Sequence, residues 1–156
     1  MDYNKLVGKD DVSFEGIPPG PFLLGLLSAF ENRFQAFADA YMKEITWKQF
    51  FAIICINMCR EAPTLNELSD IIGSSHQNVK QILLKLEKKG FIQFVEDASD
   101  KRKQRIRLTE QCLAFCEANE EGSRFLLGKM FDGIAPNQLS ATIQVISQME
   151  KNLERF

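Results

Sequence analysis

Six polar side chains, His76, Gln77, Asn78, Lys80, Gln81 and Lys85, follow a Ser74-Ser75 pair of the type that caps helices. On a helix starting near Ser75 they fall on the outward face, because Val79, Ile82, Leu83 and Leu86 form the inward stripe. Gln and Asn can bond adenine edges bidentately, His can meet a guanine acceptor, and Lys can serve a base or a phosphate. Further along, Lys101, Arg102, Lys103 and Arg105 form a cationic cluster that suits a nucleic-acid backbone, and one Arg can enter a narrow minor groove. Asp100, an anion among them, is poorly suited to touch phosphate. The plainer readings are a solvated polar helix and a charged hairpin tip that shields a sheet edge.

The elements that position these groups can be read from caps and periodicity. Thr64-Leu65-Asn66-Glu67 has the form of a capping box and opens a short helix with Leu65, Leu68 and Ile71 facing inward. Gly73 permits a left-handed turn, the polar helix follows, and Gly90 ends it. Residues 91–95 and 104–108 carry the β-branched and aromatic bias of a hairpin, with the cations at its tip. Upstream, residues 1–16 are polar and aperiodic and predict a loose arm. After Pro18-Pro19-Gly20-Pro21, apolar residues recur at three and four from Leu23 to Ile45, predicting one long helix. At about 24 residues it would run ~36 Å, more than a small core needs, so its surplus apolar face predicts a partner chain. Thr46-Trp47-Lys48-Gln49 opens another helix through Arg60. Thr109 opens one to about residue 131, and a last helix after Pro136 aligns Leu139, Ile143, Ile146 and Leu153 along one edge.

Composition agrees with a nucleic-acid partner once charge is resolved along the chain. Residues 73–107 hold nine Lys/Arg against four Asp/Glu, a net +5, and the remaining ten and seventeen give −7, against −2 overall. The basic charge is thus concentrated on the candidate surface. The 156 residues suffice for one domain with a real core, and 45% hydrophobic and 26% charged residues are ordinary for a globular protein. No apolar run approaches the ~18 residues of a membrane span and the N-terminus lacks a signal-peptide pattern, so a cytoplasmic location is expected.

The stretch from 64 to 109 resembles the multiple antibiotic resistance regulator (MarR) family of winged helix-turn-helix proteins. The resemblance rests on Glu67-Leu68, Ile71-Ile72-Gly73, Ser75, Val79, Leu86-Glu87, Gly90-Phe91-Ile92, and above all Asp100-x-Arg102 followed by Leu108-Thr109. It extends in outline over about residues 21–155. Two positions depart from the family pattern. Cys112 stands where a Gly is usual, and His76-Gln77-Asn78 replaces the frequent Arg-Ser-Thr, which leaves the operator sequence open. The resemblance implies a mainly α fold with a small β-hairpin, as a single domain over 1–156. Its parts would be an arm at 1–20, a winged helix-turn-helix at 46–109 and dimerisation helices at 21–45 and 110–156. It implies a homodimer on a near-palindromic double-stranded DNA operator, a repressor released by a small ligand. Asp100 would orient Arg102 by a salt bridge. A small aromatic effector would bind in a crevice for which Trp47, Phe51 and Arg60 are candidates.

Other chemistries find less support. Cys55-x3-Cys59 and Cys112-x3-Cys116 are i, i+4 pairs whose Cβ atoms lie ~5–6 Å apart on a helix, too far for a disulfide at ~3.5–4.5 Å, so reduced buried thiols are expected. Sensing thiols in the resembling family usually lie in the first helix, which here has none. His76 is the only His and no ligand pair stands at metal spacing from it, so neither metal nor cofactor is expected. No nucleophile–base pair or phosphate-cradling loop appears, which argues against an enzyme. The rival readings are a thiol-based redox or metal sensor on the same scaffold and a winged-helix module that binds protein. Thiol titration and metal analysis separate the first; the second requires a neutral or acidic recognition surface.

Overall fold

The computed structural model describes residues 2–8 and 11–156, as seven helices and one two-stranded antiparallel sheet. They fall into two compact units, one ending at Thr109 and the other running from Glu110 to Phe156.

The first unit opens with a short helix where the aperiodic sequence predicts a loose arm. Helix α1 (Tyr3–Val7) is capped by Asp2, whose carboxylate accepts from the Lys5 N–H at 3.2 Å, and it ends at Gly8 with φ 63°. The Tyr3 ring stacks on Phe22 at 3.9 Å and Phe14 meets the same ring edge-on at 5.4 Å. Three aromatics thus tie the arm to α2 (Pro19–Tyr41), a link too long in sequence for periodicity to reveal. Helix α2 also ends four residues short of the expected Ile45. The turn is held by other bonds: Met42 N–H donates to the Ala38 carbonyl, the Asp39 carboxylate accepts from the Trp47 N–H at 2.5 Å, and the Lys89 ammonium donates to the Glu44 carbonyl. Ile45 keeps its helical spacing but is buried in the turn.

Helices α3 (Trp47–Met58) and α4 (Leu65–Ile72) each begin with the expected capping box, from Thr46 with Gln49 and from Thr64 with Glu67. Gly73 adopts φ 68° and closes α4, with Ser74 N–H donating to the Ser69 carbonyl. Helix α5 (His76–Lys88) and the hairpin β1 (Ile92–Glu96) and β2 (Gln104–Leu108) complete the unit, with Phe94 opposite Ile106. A third segment joins the sheet edge: Pro63 accepts from the Ile106 N–H at 2.8 Å and Thr64 bridges Arg105. This welds the start of α4 to the hairpin.

The core of this unit is one apolar cluster in which Ile53, Leu68, Val79, Leu83, Leu86 and Ile106 are fully buried. Each such side chain contributes about 1.5–3 kcal/mol relative to exposure. Ile71, expected inward, is 52% exposed. Ser69 takes the inward place between Leu65 and Ile72, its hydroxyl donating to the Leu65 carbonyl at 2.8 Å, so a polar residue hides the true phase of the stripe.

The second unit consists of α6 (Glu110–Met130) and α7 (Pro136–Leu153), joined at Gly133 with φ 75°. No residue of α7 is buried, and Phe125, Ile143, Val145 and Leu153 are all at least half exposed. No helix among the described residues is long and apolar enough to cross a membrane.

Candidate nucleic-acid interface

Ser75 resolves the choice of cap: it is the N-cap of α5, and its hydroxyl oxygen accepts from the Asn78 N–H at 3.4 Å. Ser74 is half-buried in the turn that closes α4. Behind the cap, His76, Gln77, Asn78, Lys80, Gln81 and Lys85 are all exposed while Val79, Leu83 and Leu86 point into the core. Among the described residues, the side chains of His76, Gln77, Lys80, Gln81 and Lys85 make no hydrogen bond or ion pair given by the structure, so their donors and acceptors remain available to base edges or phosphates.

The hairpin tip forms the ion pair that the resemblance implies. Arg102 Nε donates to Asp100 Oδ1 at 3.1 Å and Nη2 donates to Oδ2 at 3.4 Å, yet the Arg102 side chain stays 90% exposed. The Arg102 guanidinium holds the Asp100 carboxyl below the usual carboxylate range, with the Arg102 backbone N–H assisting. Lys101 and Lys103 are exposed beside it.

Arg105 departs from expectation. Sequence pattern places it with the backbone-following cations, but its guanidinium turns into the protein. Nε donates to Asp97 Oδ2, Nη1 donates to the Ala62 carbonyl at 2.7 Å, and Nη1 stands 3.7 Å from Glu67 Oε2. Only 26% of the side chain is exposed. The physical reason is a buried counter-charge one residue past the end of β1. Asp97 is 5% exposed, and a buried carboxylate must find donors.

The sequence pattern did not single out Asp97. Its Oδ1 accepts from the Ser99 hydroxyl at 2.6 Å, the Ser99 N–H at 2.8 Å and the Asp100 N–H at 2.9 Å. The Ser99 hydroxyl first, then Arg105, drive its pKa far below the usual carboxylate value. The signal was present as Asp97-Ala98-Ser99, an Asx-type turn in which the side chain bonds backbone two residues on.

Between α4, α5 and the hairpin lies an open groove of about 940 Å³ lined by Asn66, Lys80, Leu84, Glu87, Arg102 and Lys103, among others. It brings the helix cation Lys80 and the hairpin cations Arg102 and Lys103 onto one concave surface. Asn66 was not foreseen there.

The candidates for a small-ligand crevice come together only in part. Trp47 stacks on Phe51 at 5.9 Å and meets Phe34 edge-on at 4.7 Å. Arg60 lies two residues past the far end of α3, a helix that Trp47 opens. Among the described residues the four cysteines form no disulfide. Burial raises the pKa of Cys55 and Cys116 and pushes Cys112 up to about 12. Among the described residues no three His, Cys, Asp or Glu side chains are grouped to hold a metal ion.

Residues 45–103 match the family model described as MarR family. Solved structures share the fold across most of the chain. A MarR/EmrR family transcriptional regulator from Acinetobacter sp. ADP1 is 17% identical, with 90% of this chain and 100% of that one covered at a TM-score of 0.78. BpsR of Bordetella bronchiseptica, described for regulation of its DNA binding by 6-hydroxynicotinic acid, is 18% identical over 89% and 97% at 0.72. MepR of S. aureus, solved in complex with DNA, is 18% identical over 81% and 95% at 0.71.

Proposed function

We propose that the chain is a MarR-family protein, whose family model matches residues 45–103, and that it is a homodimeric, sequence-specific double-stranded DNA-binding transcription regulator of the cytoplasm. One observation carries this reading. A recognition helix whose first turn is polar, exposed and uncommitted shares a groove with a hairpin wing whose Lys101, Arg102 and Lys103 are exposed. On such a surface Gln77 and Asn78 read base edges, Lys80, Lys101 and Lys103 bind phosphates, and Arg102 enters the minor groove or follows the backbone. Arg105 drops out of the contact set, since its donors are engaged inside the protein.

The dimer rests on residues 21–45 and 110–156. Leu24, Phe30 and Phe37 on α2, and Ile143, Val145 and Leu153 on α7, are each at least half exposed. Apolar surface on that scale ordinarily belongs against a partner, and obligate homodimers bury on the order of 2,000 Å² or more. A second copy would cover it and double the reading heads. Regulation of BpsR by 6-hydroxynicotinic acid supports the further reading of a repressor released by a small aromatic ligand, held beside Trp47 and Phe51.

Selection of bound sequences from a random duplex pool, with light scattering on the same sample, tests the proposal. The expected result is a dimer that enriches a near-palindrome with half-sites about 10 bp apart, since two recognition helices enter successive major grooves. A monomer that enriches nothing overturns it.

A further inference from the structure

The wing arginine sits at the end of a continuous chain of polar contacts that begins at the first helix of the helix-turn-helix. Glu67 Oε2 accepts from the Thr64 N–H at 2.7 Å and from its hydroxyl at 3.0 Å, and so belongs to the N-terminus of α4. Arg105 Nη1 stands 3.7 Å from that same oxygen and donates to the Ala62 carbonyl. Arg105 Nε then donates to Asp97, and Asp97 gathers the Ser99 hydroxyl and the N–H groups of Ser99 and Asp100. Asp100, its backbone held there, grips Arg102 through Nε and Nη2 and also accepts from the Arg102 N–H at 3.1 Å. Every joint is charge-assisted or binds backbone, and these are the stronger and more directional hydrogen bonds.

We propose that Asp97 and Arg105 are positioning residues for DNA binding, which act through Arg102 by fixing the wing tip relative to the helix-turn-helix. The inference rests on the DNA-binding reading of the wing. A two-stranded hairpin alone is a loose support, because isolated hairpins are marginally stable in water. The tip from Ala98 to Lys103 lies beyond the last β pair, Glu96 with Gln104. Its cross-hairpin backbone bonds there are the Asp97 N–H to the Lys103 carbonyl at 3.1 Å and the Lys103 N–H to the Asp100 carbonyl at 2.8 Å, short of a continued ladder. Asp97 supplies what the ladder does not. It is a buried anion that accepts from the start of the tip and from the strand that returns from it, and Arg105 carries this anchorage on to α4. Arg102 thereby meets DNA with its direction already set, and less ordering entropy is lost on binding.

The sign of one substitution separates this role from simple electrostatics. Asp97→Asn removes a negative charge near the proposed DNA surface, which by charge alone would tighten binding. A positioning role requires the opposite. Affinity for one fixed mixed-sequence duplex at low salt is expected to fall about five- to tenfold, and the salt slope to drop by about one, as for Arg102→Ala. In the Arg102→Ala background, Asp97→Asn is expected to change affinity less than about twofold, since residues of one hydrogen-bond network that act through the same group are strongly non-additive. Ser99→Ala, which removes one donor and no charge, is expected to weaken binding in the same direction by about two- to threefold. Hydrogen exchange without DNA reports the joint itself: the Ser99 and Asp100 amides exchange faster in Asp97→Asn while the α5 amides do not.

Asp97→Asn binding as tightly as wild type, or weakening the Arg102→Ala protein as much as it weakens wild type, overturns the inference while leaving DNA binding intact. Wild type that shows no salt-dependent duplex binding overturns the DNA reading itself, and the inference with it.

Discussion

Asp100 and Arg102 are joined by two side-chain hydrogen bonds at 3.1 and 3.4 Å, in a geometry that fixes the guanidinium plane and still leaves Arg102 90% exposed. The pair orients a cation without consuming it. The two aspartates of the wing, Asp97 and Asp100, have pKa values pulled below the ordinary Asp range, Asp97 by the Ser99 hydroxyl first and Asp100 by the Arg102 guanidinium first. Groups with depressed folded values contribute stability above the unfolded value of about 3.9, and lose it as pH falls through the folded value. Carbon-detected NMR titration is therefore expected to give midpoints below about 3.9 for both, with the wing intact from there upward. A midpoint at or above that value for Asp97 contradicts the network.

Leu83 and Leu84 are neighbours with opposite environments, 0% and 41% exposed. Leu83→Ala empties a core site and is expected to cost about 2–5 kcal/mol of stability, whereas Leu84→Ala is expected to cost less than about 1.5. Urea unfolding of both variants checks the phase of α5. Equal losses would mean that the face presented to the groove has been misassigned.

Ser75 caps α5 with its hydroxyl on the Asn78 N–H. Ser75→Ala is expected to cost about 0.5–2 kcal/mol, and Ser75→Asp, which can still accept that bond and adds a charge favourable to the helix dipole, should restore it. Chemical denaturation of the pair decides. Ser75→Ala at wild-type stability would show that the cap contributes nothing.

The parts of the fold that local chemistry specifies were legible in the chain. Thr64 with Glu67 and Thr46 with Gln49 announce helix starts, Gly73 and Gly90 announce ends, and the core stripe of α5 follows from its period. What escaped depends on contacts between residues distant in sequence. The stacking of Tyr3 on Phe22 folds an arm that has no periodicity. Arg105 reads as one more cation in a basic run until buried Asp97 and the Ala62 carbonyl claim it. Ser69 hides the inward phase of α4 because its hydroxyl is satisfied by the helix itself. Of the candidate interface, the α5 residues were visible in the sequence pattern, the Asp100–Arg102 pair was implied by the family resemblance, and the network beneath the wing was in neither.

Cys112 is fully buried and its thiol is pushed up to about 12 by desolvation first, and by Cys116 next. Alkylation by a thiolate-selective reagent at neutral pH is expected to run at least about a hundredfold slower there than at a free thiol, because only the thiolate reacts. Peptide mapping of the time course measures it. Rapid modification of Cys112 in the folded protein would contradict its burial and revive a redox role.

The most direct measurement compares Gln77→Ala and Arg102→Ala against wild type on the selected duplex and on a scrambled one, across a salt series. Gln77→Ala is expected to lose about 1–3 kcal/mol on the selected duplex and relax choice at one base pair, with non-specific affinity nearly unchanged. Arg102→Ala is expected to weaken both duplexes and lower the salt slope by about one. Equal losses for the two variants on every sequence would show that Gln77 reads no base. Wild-type affinity for both variants would contradict the assignment of this surface to DNA.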